Sequence, residues 1–95
     1  MYRHVVLWKF KSNEDSDREK VKNALYALLP LIPEIKKMAI SKDIGHTPMS
    51  FDLMLDTEFD NEEDYKVYAV HPEHMKVKEI VHELICDRVT LDCEE

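Results

Sequence analysis

The first eleven residues, MYRHVVLWKFK, alternate along an extended chain. Tyr2, His4, Val6, Trp8 and Phe10 fall on one side; Arg3, Val5, Leu7, Lys9 and Lys11 fall on the other. Apolar residues occupy both sides at the centre, so residues 2–11 are expected to form a strand covered on both faces. The period then changes. In SDREKVKNALYALL, Val21, Ala24, Leu25, Leu28 and Leu29 recur at helical spacing, and Ser16 with Glu19 has the form of a capping box. Pro30 and Pro33 end that helix, because the residue before a proline resists the α region. Residues 34–44 alternate loosely as a second strand, and GHTPMS, with the only glycine, Gly45, reads as a hairpin loop. FDLMLDTEF alternates cleanly as a third strand. Asp60 with Glu63 repeats the capping logic and opens a helix over about residues 61–70. Tyr65, Tyr68 and Ala69 are candidates for its inner face. Pro72 cannot continue that helix but suits the first position of another, predicted over 72–84, with Met75, Val77, Ile80, Val81 and Leu84 inward. ICDRVTLDC alternates and closes the chain as a fourth strand.

Strand–helix–strand–strand–helix–strand fits an α+β fold of the ferredoxin-like, split βαβ kind. Right-handed crossovers put both helical connections on one face of a four-stranded antiparallel sheet. At 95 residues the chain is expected to be one domain, residues 1–95. Helices cover only one face, yet the other also carries apolar residues, and monomers rarely expose large contiguous apolar patches. A homodimer through that sheet face is expected, burying on the order of 1,600 Å².

The formal net charge of −7 is the wrong sign for neutralising phosphates, so neither nucleic acid nor an anionic membrane surface is an expected partner. The apolar run at the N-terminus is too short and too interrupted by charge for a signal peptide or a spanning helix, which points to the cytoplasm. Cys86 and Cys93 are then thiols, and on one strand their Cα atoms would lie roughly 23 Å apart, beyond bridging range.

Histidine is the side chain that most readily changes charge near neutral pH, and two of the five lie in YAVHPEHM. Zinc sites normally need three or four converging ligands, and no acidic or cysteine partner lies at a familiar spacing, so no metal is expected. Pro72 makes His71 a flanking residue that ends one helix and starts the next. His74 becomes the third residue of the new helix, where the positive end of the dipole disfavours imidazolium and leaves a neutral base. His4 lies on the strand face shared with Val6 and Trp8. His46, in the hairpin, and Trp8 are given structural or incidental roles.

HVVLWKFK, FDLMLDTEF and YAVHPEH together resemble the Dabb family, the stress-responsive dimeric A/B barrel proteins, over His4 to Asp92. The resemblance implies a ferredoxin-like monomer that pairs sheet to sheet into a dimeric α/β barrel. It implies no single activity. One branch, olivetolic acid cyclase, closes a linear polyketide by an aldol condensation. Three of its functional positions fall on His4, Tyr68 and His74, whereas a further histidine of that branch falls near Leu53. These three residues are expected to share a pocket in which a histidine takes a proton and the tyrosine hydroxyl holds a developing oxyanion. No cofactor is expected. Two functions stand side by side. One is a dimeric protein that binds a small organic ligand between helices and sheet, with acid–base chemistry on a carbonyl compound. The other is a non-enzymatic dimeric module in stress response or assembly. An open cavity touching His4, Tyr68 and His74 favours the first; bulky side chains filling that space favour the second.

Overall fold

The computed structural model describes residues Met1–Glu95. Seven elements follow in order: β1 (Tyr2–Phe10), α1 (Asp15–Tyr26), β2 (Lys37–Lys42), β3 (Leu53–Phe59), α2 (Glu62–Val70), α3 (Pro72–Leu84) and β4 (Ile85–Glu94). The sheet order is β2-β3-β1-β4, every neighbouring pair antiparallel, which is the ferredoxin-like arrangement. The chain's first and last strands therefore lie side by side. Tyr2 pairs with Glu94, His4 with Asp92, Val6 with Thr90 and Trp8 with Arg88.

The helices cover the even-numbered face of β1. His4, Val6, Trp8 and Phe10 are buried there, beside Leu53, Leu55, Thr57 and Phe59 of β3. From above, α1 supplies Val21 and Leu25, and α3 supplies Val77 and Val81. Each such side chain contributes roughly 1.5–3 kcal/mol by leaving water. On the opposite face Val5 and Leu7 pair with Leu91 and Val89 of β4. No element covers them, and Leu91 and Val89 remain 64 % and 46 % exposed. The same face holds a two-pronged ion pair, Arg3 Nε to Asp56 Oδ1 at 2.9 Å and Nη2 to Oδ2 at 2.6 Å.

The break between α2 and α3 falls at His71, whose backbone is extended (φ −62°, ψ 135°). Its N–H donates to the Tyr68 carbonyl at 3.1 Å and so closes α2. Its ring Nδ1 accepts from the Glu73 N–H at 3.1 Å and so caps α3. Pro72 stands in the first turn, where its missing N–H leaves no gap.

Two caps differ from the sequence expectation. Helix α1 starts at Asp15, ahead of Ser16, and Glu14 at its N-cap makes no side-chain capping bond. Glu19 does not reach back to a cap, because Lys42 Nζ holds its carboxylate at 2.9 Å. In α2 the cap is Asn61 instead of Asp60; its side chain accepts the Asp64 N–H at 2.9 Å. The strands flanking the hairpin are shorter than their sequence pattern suggested, and Asp43 and Asp52 lie just outside them. Asp43 accepts the Gly45 and His46 N–H groups at 3.1 and 2.8 Å, and Asp52 accepts the Phe10 N–H at 2.7 Å. His46 takes a left-handed backbone there, φ 50°.

Candidate functional site

A cavity of about 370 Å³ lies between the helices and the sheet. His4, Tyr68 and His74 all line it. The three come from different elements: His4 from β1, Tyr68 from the last turns of α2, and His74 from the first turn of α3. Thr57 anchors the first of them, its hydroxyl donating to the His4 carbonyl at 2.9 Å from the paired position on β3.

His4 has a partner that sequence reasoning did not single out. Its Nδ1 lies 2.5 Å from Asp92 Oδ1, and the Tyr2 hydroxyl donates to Asp92 Oδ2 at 2.7 Å. Burial pushes the Asp92 carboxyl up, but the bonds from Tyr2 and His4 outweigh it and the net direction is down. A carboxylate only accepts, so Nδ1 carries a hydrogen, and Nε2 is the ring atom turned to other partners. Asp92 could have been found by laying the antiparallel ends of the chain together, which sets Asp92 opposite His4.

His74 stacks on Tyr68, ring centroids 4.0 Å apart and planes 24° apart. Its Nδ1 is 3.3 Å from the Ala69 carbonyl, which also only accepts. Burial pulls the His74 imidazole down to about 4, so at neutral pH the ring is uncharged with a free lone pair on Nε2. Tyr68 is 1 % exposed, and burial raises its hydroxyl well above the usual phenol range. It stays a hydrogen-bond donor, and no group of the chain accepts from it. The Tyr68 and His4 ring centroids are 6.5 Å apart, and the Tyr65 ring lies 4.9 Å from His4 and 6.3 Å from Tyr68.

Six further lining residues carry polar groups: Trp8, Tyr65, Lys78, Glu79, His82 and Arg88. Trp8 is buried in the cavity wall with its indole N–H unpartnered. Lys78 on α3 and Arg88 on β4 stand exposed at the rim. His71 does not line the cavity; its ring is engaged as a cap. His46 lies in the distant hairpin. No three histidine, cysteine or acidic side chains converge in a way that could hold a metal ion. Cys86 and Cys93 are both free. No helix is long and apolar enough to cross a membrane.

Residues 2–95 match the sequence model of a family described as the stress responsive A/B barrel domain, Dabb. No curated protein matches the chain. Among solved structures, a dimeric ferredoxin-like protein of unknown function from Thermobifida fusca is 27 % identical, with a TM-score of 0.87, over 99 % of this chain and 90 % of that one. A dimeric protein of unknown function from Bacteroides fragilis is 30 % identical, with a TM-score of 0.80, over 99 % and 95 %. A hydroxynitrile lyase from Passiflora edulis is 18 % identical, with a TM-score of 0.86, over 97 % and 90 %, a likeness of fold alone.

Proposed function

The chain belongs to the Dabb family of stress responsive A/B barrel domains, and we propose that it binds a small carbonyl compound between helices and sheet and moves a proton on it. The observation that carries this reading is the His4–Asp92 pair on the wall of an open cavity. Asp92 holds the hydrogen of His4 on Nδ1 and steadies the imidazolium that forms when Nε2 takes a proton. The proton comes from a carbon beside the carbonyl. The electron pair it leaves moves into the carbonyl and places negative charge on the oxygen. Tyr68, with a hydroxyl unclaimed by the chain, is the donor for that oxygen. His74 fixes the Tyr68 ring by stacking and offers a second uncharged acceptor in the same space. Return of the proton from His4 to carbon completes an exchange or an isomerisation; attack by the enolate carbon on a second carbonyl forms an aldol bond, and the proton on His4 passes to the new alkoxide. The hydroxynitrile lyase of Passiflora edulis supports the reading by analogy of fold: the same architecture accommodates chemistry on a small molecule.

A homodimer through the bare sheet face belongs to the same proposal. Val5, Leu7, Val89 and Leu91 form an apolar strip there, and the similar structures from Thermobifida fusca and Bacteroides fragilis are dimeric.

The test is deuterium incorporation beside the carbonyl of a panel of ketones and aldehydes in D₂O, followed by NMR. At least one compound is expected to exchange faster than in buffer, and His4→Gln is expected to cut that rate by about 10²–10⁴-fold. No acceleration anywhere in the panel, or full activity in His4→Gln, overturns the proposal.

A further inference from the structure

Of the three arginines, Arg3 and Arg18 are ion-paired, to Asp56 and Asp52; Arg88 pairs with no carboxylate. That is notable in a chain with 20 acidic residues against 13 basic ones. Arg88 lies on the cavity rim. Strand alternation puts it on the same face as Asp92, and the ladder sets it directly opposite Trp8. Its charge reaches inward, lowering both the Tyr65 and Tyr68 hydroxyls against the larger upward push of their burial. Lys78, also free of any ion pair, acts on His74 in the same way. Lys78 and Arg88 are the two lysine or arginine side chains of the lining. Beneath them, the buried Trp8 indole N–H still lacks an acceptor.

We propose that the cavity's ligand is a monoanion: a carbonyl compound that also carries a carboxylate, which the Arg88 guanidinium holds at the rim while the carbonyl sits against His4 and Tyr68. A planar fork of donors matches a carboxylate, and Arg88 has no carboxylate of the chain to satisfy it. Val6, Leu55, Val77 and Val81 form an apolar wall for the body of the molecule. This inference rests on the carbonyl-binding reading above and adds the charge of the substrate to it.

The chain contains one tryptophan, Trp8, and it is in the cavity wall, so its fluorescence reports occupancy directly. The probes are 4-oxo-4-phenylbutanoate and its methyl ester, which share a skeleton and differ in charge. The acid is expected to bind at least about tenfold more tightly than the ester, the worth of one charge-assisted contact. Arg88→Gln is expected to bring the acid close to parity with the ester. Equal binding of acid and ester to the unaltered protein overturns the anion inference alone. So does an undiminished preference in Arg88→Gln. If neither probe perturbs Trp8 at millimolar concentration, the carbonyl-pocket reading fails and this inference fails with it.

Discussion

Replacing Asp92 with asparagine removes one charge and almost no volume. Wild-type Asp92 accepts two bonds, from His4 Nδ1 at 2.5 Å and from the Tyr2 hydroxyl at 2.7 Å. Bonds to a charged acceptor contribute about 1.5–3 kcal/mol each when well shielded. The Asp92 side chain is 34 % exposed and asparagine keeps one acceptor oxygen, so the loss falls toward the low end, about 1–2 kcal/mol. In a domain of this size each kcal/mol moves Tm by roughly 4–8 °C. The sign with pH follows from the lowered folded carboxyl. Its contribution is fully present above the ordinary carboxylate range and is lost as pH falls through the lowered folded value. The gap in Tm between the two proteins is therefore widest near neutrality and closes on acidification below roughly pH 4. The chemical effect is larger. The amide can donate to His4 Nδ1, which drives the ring hydrogen to Nε2 and removes the base; exchange is expected to fall about 10²–10⁴-fold. Thermal unfolding followed by circular dichroism, with NMR-detected deuterium exchange on the same samples, measures both. An Asp92→Asn protein with unchanged Tm at pH 7 and undiminished exchange would refute the role given to this pair.

His74→Phe tests the buried neutral histidine. The folded ring is held at about 4 against an ordinary value of 6.5, so the unfolded chain takes up a proton that the folded one refuses. Stability is full above about 6.5 and falls as pH drops from there toward 4, and the phenylalanine variant is expected to lose that part of the slope in denaturant titrations. His71→Ala removes the cap of α3 and is expected to cost about 0.5–2 kcal/mol with proton exchange on the substrate unchanged, which separates the two histidines of the HPEH segment. Leu91→Lys places a charge on the bare sheet face and is expected to halve the mass seen by light scattering, without emptying the cavity on the opposite face.

The elements whose own residues carry their pattern were legible from the chain alone. The alternation of β1 sorted His4, Val6, Trp8 and Phe10 onto one face, and all four are buried. Pro72 and the spacing of Val77 and Val81 marked α3 at the boundaries it has, Pro72 to Leu84. The caps of α1 and α2 were misplaced, because distant groups or adjacent candidates decide them. Lys42 draws Glu19 away from the helix start, and Asp60 and Asn61 offer equivalent oxygens one residue apart. In the site, proximity of His4, Tyr68 and His74 to one space was foreseen from the helix-covered face and the family likeness. Asp92 and Arg88 were not, because their placement depends on the register between β1 and β4, whose partners stand up to 92 positions apart in sequence. Alternation along one strand says which face a residue takes; it does not say which residue of another strand lies beside it.

The account turns on His4 and Tyr68 acting on one substrate atom pair as a unit, and a double-mutant cycle on deuterium exchange tests that most directly. The rate would be measured for the unaltered protein, His4→Gln, Tyr68→Phe and the combined variant with the best substrate of the carbonyl panel. If one residue takes the proton while the other holds the resulting oxyanion, either single change disables most of the step, and the combined variant is expected to be little worse than the more damaging single one. Losses that multiply as if the two sites were independent, or a Tyr68→Phe protein as fast as the original, would contradict the shared pocket as the seat of the chemistry.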